Sequence, residues 1–262
     1  MSRSGKTNGH PEGVKTAKVD YTSRGSLVAA LKGQDVLVSA IPDHGAQPAL
    51  VDAAIAAGVK RFVPSEFGSD VSGNANTAKL PVFGGKVKTQ EYLKQKADQI
   101  SYTIIVNGAF LDWGVMVGFI ANLKGGKNRI YDDGDRPRSM STLADVGKAV
   151  AGVLENPEET KNRTVYVQSA AVSQNRLIEF AKKKIPGASF DIEPVDTAEL
   201  EQRSYEALRE EGADVTQAMY GFIAVSIFRE GYGGLFGKND NELLGITGLS
   251  DSEIEAVIAP YM

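Results

Sequence analysis

The stretch that decides the fold is DVLVSAIPDHGAQPALVDAAIAAGVKRFVPSEFG, residues 35–68. It places two short β-branched runs, 35–41 and 60–64, on either side of a helical pattern at 47–57 that ends at Gly58. A strand, a helix and a second strand in this order are typical of a βαβ unit with parallel strands. The stretch therefore predicts an α/β fold.

The same alternation continues on both sides of this stretch. We predict further strands at 14–19, 101–106 and 164–168, and helices at 23–32, 82–97, 146–154, 174–184, 198–210 and 215–228. Crossover helices cover both faces of a parallel sheet, so the sequence predicts a Rossmann-like parallel sheet with helices on both sides. We interpret residues 1–262 as a single domain, in which about 170–262 contribute a smaller substrate lobe.

Composition excludes several classes of function. The 262 residues contain no cysteine, which rules out disulfides, a thiol nucleophile, an iron–sulfur cluster and cysteine-based zinc sites. The two histidines, His10 and His44, do not have metal-ligand spacing. A net charge of −4 argues against nucleic acid as a partner. Residues 1–15 lack the apolar core of a secretory signal, so the expected location is cytoplasmic.

The most apolar stretch, residues 106–123, approaches the length of a membrane span. It contains Asn107, Asp112 and three glycines, which a span in lipid would tolerate poorly. We interpret it as a buried strand end that runs into a helix, and we expect no membrane partner.

Two glycine-containing segments resemble phosphate loops without the required context. Gly5-Lys6-Thr7 matches only the tail of a P-loop, with no preceding strand and no upstream glycine. The late run GYGGLFGKNDN at 231–241 has Phe236 where G-x-G-x-x-G needs its third glycine. We interpret the late run as a loop that could cover a pocket.

Two other motifs offer candidate chemistry. Tyr92 and Lys96 match Y-x-x-x-K, the tyrosine–lysine pair of short-chain dehydrogenases, but a solvated helix face is the favoured interpretation. The segment KRFVPSEFGSD at 60–70 is different, because it places polar groups after a strand. Ligands of open α/β sheets bind at this carboxyl edge.

Four segments carry a resemblance to the NmrA-like, isoflavone-reductase-like family of atypical short-chain dehydrogenases, in particular its fungal members. They are DVLVSAI at 35–41, AAGVKRFVPSEFG at 56–68, VFGGKVKTQEYL at 82–93 and SYTIIVNGAFLDWG at 101–114. The resemblance implies NADPH as cofactor and places Lys86 beside the nicotinamide ribose as the catalytic residue. Val82 stands where the dehydrogenase tyrosine would be, so Lys86 replaces Tyr92 and Lys96 as the candidate.

The resemblance also implies a set of cofactor-binding residues. Besides Lys86 they are Ser39, Ala40 and Ile41 at a strand end, Ser65, Glu66 and Phe67 near the nicotinamide, Asn107, Gly108 and Phe110 on the far wall, and Arg3 and Lys6 near the 2′-phosphate. Structural alternatives exist for some of them. Ile41 and Phe110 are ordinary core types, and Glu66 could cap a loop or helix.

The start of this sequence departs from the family pattern. Family members begin with a strand, a G-x-x-G-x-x-G turn, a helix and a second strand ending in arginine, whereas this sequence starts where that second strand finishes, with Arg3 as the candidate arginine. The expected fold is therefore a Rossmann-like sheet without its first strand and glycine turn. Such a chain would lack the backbone cradle for pyrophosphate.

The resemblance implies an NADPH-dependent reductase. The expected partner is a small aromatic or polyketide-type secondary metabolite, reduced by hydride transfer to a carbonyl or conjugated carbon, and the expected assembly is a monomer or homodimer. An alternative stays open because the glycine turn is missing: a non-catalytic NmrA-like dinucleotide sensor, or a cofactor-deficient remnant.

Overall fold

The computed structural model describes residues 1–5 and 11–262, so Lys6 and His10 lie outside the described residues. These residues form two compact units. The first unit comprises Met1–Glu66, Gly85–Ile104 and Lys161–Arg163, apart from residues 6–10. The second unit comprises Phe67–Gly84, Ile105–Thr160 and Thr164–Met262. The predicted lobe beginning near residue 170 stays a prediction.

Strands and helices alternate along most of the described chain. The strands are β1 (Val36–Val38), β2 (Arg61–Val63), β3 (Ser101–Val106), β4 (Ala109–Phe110), β5 (Gly126–Tyr131), β6 (Arg138–Ser141), β7 (Arg163–Tyr166), β8 (Ala170–Val172) and β9 (Phe190–Val195). The α-helices are α1 (Arg24–Leu31), α2 (Gln47–Ala57), α3 (Ala75–Lys79), α4 (Gly84–Gln95), α5 (Leu111–Met116), α6 (Leu143–Glu155), α7 (Gln174–Lys184), α8 (Thr197–Ala207), α9 (Val215–Phe228) and α10 (Asp251–Ile258). Short 3₁₀ turns cover His44–Ala46, Pro81–Phe83 and Ala259–Tyr261.

A parallel sheet organises the first unit. Its strands β1, β2 and β3 lie in that order, and Arg61 of β2 pairs with Val36 of β1 and with Ser101 of β3. Phe62 and Val63 of β2 are completely buried, as expected for a strand covered on both faces. The predicted βαβ arrangement of residues 35–64 is therefore confirmed.

The helices of the first unit have sequence-encoded ends. Ser23 caps α1 by accepting a hydrogen bond from the amide of Ser26, and α2 carries Pro48 in its first turn. Gly58 ends α2 with φ 81°, a left-handed conformation that glycine adopts without strain. The helix α2 therefore has the bounds that the sequence predicts.

The predicted strand at 14–19 was wrong. Within it the structure contains one isolated parallel bridge, between Lys18 and Ser2. The segment contains β-branched residues, but a strand needs a continuous partner, and only Ser2 pairs with this segment in the described residues.

Short strands also shape the second unit. Strand β6 pairs parallel with β4 and antiparallel with β8, and β5 pairs parallel with β9 over six residues from Gly126↔Phe190 to Tyr131↔Val195. None of these five strands was predicted. Strand β4 has two residues, β9 is mostly exposed, and β5 and β6 contain one β-branched residue between them, Ile130. The buried β-branched runs that identify the strands of the first unit are therefore absent from them.

The core of the second unit lies between these strands and the helices α5, α7, α9 and α10. Leu111, Leu123, Met140, Leu177 and Phe180 are nearly or completely buried there. Tyr131 and Phe228 stack at 4.5 Å between ring centroids. This core gives β5 and β6 their buried inner faces.

The apolar stretch at 106–123 forms the end of β3, the short strand β4 and the six-residue helix α5. The interpretation as a strand end that runs into a helix is therefore confirmed. Within the described residues, no helix combines the length and the apolar character needed to cross a membrane.

The loop at 231–241 is held in place within the second unit. Asn74 and Asn76 donate side-chain hydrogen bonds to the carbonyl oxygen of Gly231, and Thr77 donates to that of Tyr232. Ser139 of β6 donates its amide to Gly234 at 2.8 Å. Its proposed role as a cover stays a prediction.

Candidate functional site

The candidate site begins directly after β2, where the sequence reads Pro64-Ser65-Glu66. Lys86, in the first turn of α4, donates a hydrogen bond from Nζ to the main-chain carbonyl oxygen of Glu66 at 2.5 Å. Both residues are buried, with 2% of Glu66 and 8% of Lys86 exposed. The structure therefore brings together the predicted catalytic residue and the segment that follows β2.

A second residue of α4 holds the Glu66 carboxylate. Gln90 donates from Nε2 to Oε2 of Glu66 at 2.7 Å. Gln90 lies four residues after Lys86, so both side chains lie on the same face of the helix. The other carboxylate oxygen, Oε1, is buried without a hydrogen-bond partner among the described residues.

Ser65 links the strand end of β2 to the segment after β1. Its hydroxyl donates to the carbonyl oxygen of Ile41 at 2.9 Å, and its amide donates to Oε1 of Gln47 at 3.0 Å. Gln47 is the completely buried first residue of α2. These hydrogen bonds hold Ser65, Ile41 and Gln47 next to one another.

Burial governs the charges of the Lys86–Glu66 pair. Loss of water contact lowers the pKa of Lys86 and raises the pKa of Glu66, because it disfavours the charged form of each. The mutual attraction of the two charges opposes both shifts. The site thus contains an ammonium group that loses its proton more readily than an ordinary lysine.

His44 borders the same cluster. Burial lowers the pKa of its imidazole, and the charge of Lys86 lowers it further. A side-chain Cβ at Gly85, the residue before Lys86, would lie 2.8 Å from Cβ of His44. Glycine therefore allows the first turn of α4 to approach the 3₁₀ turn that carries His44.

A groove of about 680 Å³ runs along β1 in the first unit. The predicted residues Ser39, Ala40 and Ile41 line one wall, and Lys15, Thr16 and Ala17 line another part. The hydroxyl oxygen of Ser39 is buried there without a hydrogen-bond partner in the described residues. The volume lies in the range of small-molecule and cofactor pockets.

The predicted far-wall residues Asn107, Gly108 and Phe110 lie in the second unit, between β3 and α5. Asn107 is completely buried, and its Oδ1 has no hydrogen-bond partner within the described residues. Gly108 has φ 65° and donates its amide to Gly68 at 3.0 Å. A Cβ at Gly108 would overlap the carbonyl oxygen of Ser139, so glycine is required at this turn.

The remaining predicted residues are more scattered. Phe67 is half-buried and belongs to the second unit. Arg3 is exposed in the first unit, one residue after the bridge between Ser2 and Lys18. Lys6 lies outside the described residues. The roles of all three stay predictions.

The alternative pair Tyr92 and Lys96 has a structural explanation. The Tyr92 hydroxyl donates to Oδ1 of Asp52 at 2.5 Å, and Lys96 Nζ lies 5.4 Å from the centre of the Tyr92 ring. The hydrogen bond to the Asp52 carboxylate raises the pKa of Tyr92, which makes it a weaker proton donor. The geometry therefore favours the helix-face interpretation of this motif.

Gln47 and Gln90 were missed by the sequence analysis, although they hold Ser65 and Glu66. A glutamine in a helix carries no distinctive sequence signal by itself. The spacing of four between Lys86 and Gln90 was the available clue, because it places the two side chains on one helical face.

Comparison with known proteins identifies the family. The model of the NmrA-like family matches residues 6–211. "Oxidoreductase aprR" of Aspergillus flavus is 31% identical over 269 residues, which cover 100% of this chain and 89% of the relative. "Oxidoreductase poxI" of Penicillium oxalicum is 30% identical over 278 residues, covering 98% of this chain and 84% of the relative.

Solved structures of reductases are also similar to this chain. The structure described as "AtPrR2 with NADP+ and (+)pinoresinol" has a TM-score of 0.74 and 26% identity, covering 94% of this chain and 82% of that chain. The structure described as "Crystal Structure of Isoflavone Reductase" has a TM-score of 0.70 and 22% identity. The match covers 96% of this chain and 87% of that chain. The predicted Rossmann-like fold and oxidoreductase class are confirmed, and the chain belongs to the NmrA-like family.

Proposed function

We propose that the protein is an NADPH-dependent reductase that transfers hydride to a carbonyl or conjugated carbon of a small aromatic or polyketide-type metabolite. The observation that carries the proposal is the buried Lys86 ammonium held against the carbonyl oxygen of Glu66, at the end of a parallel strand. Ligands of open α/β sheets bind at that end. The fungal relatives named oxidoreductases support the reaction class.

The residues of the first unit fit the nicotinamide half of the cofactor. Ser39 Oγ and Glu66 Oε1 are buried polar atoms without protein partners in the described residues, and each would gain one from a bound amide or ribose hydroxyl. Ser39, Ala40 and Ile41 would line the cofactor, while Ser65 and Lys86 would hold its nicotinamide ribose. Bound NADPH would supply the hydride.

The other half of the dinucleotide has fewer candidate ligands. Arg3 would face the 2′-phosphate with the planar donors that suit a phosphate, and Lys6 would assist. The rest of the proposed set belongs to the nicotinamide half, with Phe67 on the nicotinamide side and Asn107, Gly108 and Phe110 as the far wall.

Lys86 has two roles in this proposal. Its ammonium orients the ribose, which places the reactive carbon, and it supplies the proton that the substrate oxygen or carbon needs after reduction. Burial favours the second role, since it lowers the pKa of Lys86 and eases release of the proton. Gln90 and the Glu66 carbonyl keep the donor geometry fixed.

The test measures oxidation of NADPH with menadione and cinnamaldehyde as electrophiles. Lys86→Ala should lower kcat by about 10²- to 10⁴-fold, the usual contribution of a proton-transferring side chain. Lys88→Ala, on the exposed face of the same helix, is the matched control and should retain activity.

If the wild-type protein oxidises NADPH and Lys86→Ala does so with the same kcat, the proposed role of Lys86 is refuted. Saturable binding of NADPH without turnover of either electrophile would contradict the reductase and support a dinucleotide sensor. Absence of NADPH binding would contradict both and support a cofactor-deficient protein.

A further inference from the structure

A second cavity, of about 770 Å³, lies within the second unit. One wall is a face of the two-stranded ribbon β5–β9, a second is formed by α8 and α9, and the segment from Trp113 to Ala121 closes it. Ser204 and Gly221 pack α8 against α9, because any side chain larger than glycine at 221 would overlap the Ser204 hydroxyl. The wall is therefore built from packed elements.

Aromatic side chains face this cavity. Trp113 and Tyr220 line it with 42% and 47% of their surfaces exposed, and Phe119 lies 6.2 Å from Tyr220 between ring centroids. Large exposed aromatic groups that share one concave surface are typical of ligand sites rather than of ordinary surface. A planar ring bound among these three would remove apolar surface from water.

Cationic side chains line the same cavity. Lys127 and Arg129 alternate along β5 and therefore project from one face of the ribbon, while Arg203 projects from α8. None of the three forms an ion pair with a carboxylate of the described residues. Glu193, paired with Arg129 in the β5–β9 ladder, is the single acidic residue in the lining. The cavity thus carries three positive charges and one negative charge.

We propose that this cavity binds a small aromatic carboxylate. The ring would lie among Trp113, Phe119 and Tyr220, and the carboxylate would accept hydrogen bonds from Arg129 and Arg203, with Lys127 adding charge. Guanidinium groups bind carboxylates through paired donors, and arginine also favours aromatic neighbours. The site belongs wholly to the second unit, so the proposal is independent of Lys86 and of NADPH.

The sequence provides its own reporter, because Trp113 is the single tryptophan in the chain. The experiment titrates the protein without NADPH with cinnamate, cinnamyl alcohol and cyclohexanepropionate, following Trp113 fluorescence and heat of binding. Cinnamate should quench the Trp113 fluorescence saturably and bind about tenfold more tightly than either analogue. Cinnamyl alcohol lacks the negative charge, and cyclohexanepropionate lacks the aromatic ring.

Charge variants locate the carboxylate. Arg129→Gln and Arg203→Gln should each weaken cinnamate binding about tenfold and leave cinnamyl alcohol unaffected. Matched controls are Lys124→Gln and Arg209→Gln, which remove exposed charges outside the cavity lining and should change nothing.

Salt dependence tests the proposal without any variant. Cinnamate affinity of the wild-type protein should fall as ionic strength rises, while affinity for the alcohol stays constant. Equal affinity for cinnamate and cinnamyl alcohol, salt-independent binding, or unchanged binding in folded Arg129→Gln and Arg203→Gln would each overturn the proposal, as would absence of saturable binding.

Discussion

Gln90 and Glu66 form a side-chain hydrogen bond of 2.7 Å, one helical turn beyond the point where Lys86 contacts the Glu66 carbonyl oxygen. A single helix, α4, therefore holds both the main chain and the carboxylate of Glu66. The segment after β2 has its shape because α4 binds it at two points. This relationship makes the stability of the site sensitive to a residue that need not touch any ligand.

Replacement of Gln90 tests that sensitivity. Gln90→Ala leaves a buried carboxylate oxygen without its donor, so the free energy of unfolding should fall by about 1–3 kcal/mol. Urea denaturation measures the change. Gln95→Ala, at the exposed end of the same helix, should change stability by less than about 0.5 kcal/mol. Equal effects of the two substitutions would contradict the structural role of Gln90.

Gly108 and Gly147 provide a contrasting pair. Gly108 has φ 65° and no room for a Cβ beside Ser139, so Gly108→Ala should lower the free energy of unfolding by about 3 kcal/mol or more. Gly147 lies on the exposed face of α6 with open space around it, so Gly147→Ala should raise stability by roughly 0.5–1 kcal/mol. Thermal or urea unfolding should show opposite signs. Two changes of the same sign would argue against this backbone geometry.

Glu66 makes stability depend on pH. Burial raises its pKa above the ordinary 4.5, so the folded protein holds the proton more tightly than the unfolded chain. The protonated Glu66 contributes its whole stabilising free energy below pH 4.5. This contribution is lost as the pH rises through the pKa that Glu66 has in the folded protein. In Glu66→Gln this titration is absent. The stability of the wild type relative to the variant should therefore decrease with rising pH, and parallel curves from urea midpoints would refute the shift.

The pH profile of the proposed reductase activity reports on Lys86. Burial lowers the pKa of Lys86 below the ordinary 10.5, so kcat with menadione should fall at an alkaline pH below that value as the proton is lost. Lys86→Arg keeps a proton throughout this range and should abolish the alkaline decline in whatever activity remains. Lys88→Arg should retain the wild-type profile. A wild-type decline that persists in Lys86→Arg would assign it to another group.

The helices and strands of the first unit could be predicted from the sequence where the local pattern agrees with the packing in the structure. The predicted bounds of α2 and β3 match the structure to the residue, because Gly58 marks a helix end and residues 101–106 form a largely buried strand rich in β-branched and aromatic residues. Residues 14–19 also contain β-branched residues, but pairing with other segments decides whether a strand forms. Local sequence does not contain that information.

The candidate site could be predicted in part, because local sequence does not show which distant residues pack against it. Ser65, Glu66 and Lys86 were predicted from the family resemblance, and in the structure Lys86 contacts the segment that contains Ser65 and Glu66. Gln47 and Gln90 support them from helices, and their role depends on which backbone lies opposite. The strands β5 and β9 were missed because their exposed residues alternate weakly and each is the other's partner across a long sequence separation.

The ribbon β5–β9 also has a consequence for the order of folding. Its two strands are parallel, and β6, α6, β7, β8 and α7 all lie between them in the sequence. The chain must close this long connection before any rung of the ladder forms, which costs conformational entropy that local helices do not incur. We therefore expect the amides of β5 and β9 to be among the last in the second unit to gain protection from hydrogen exchange during refolding.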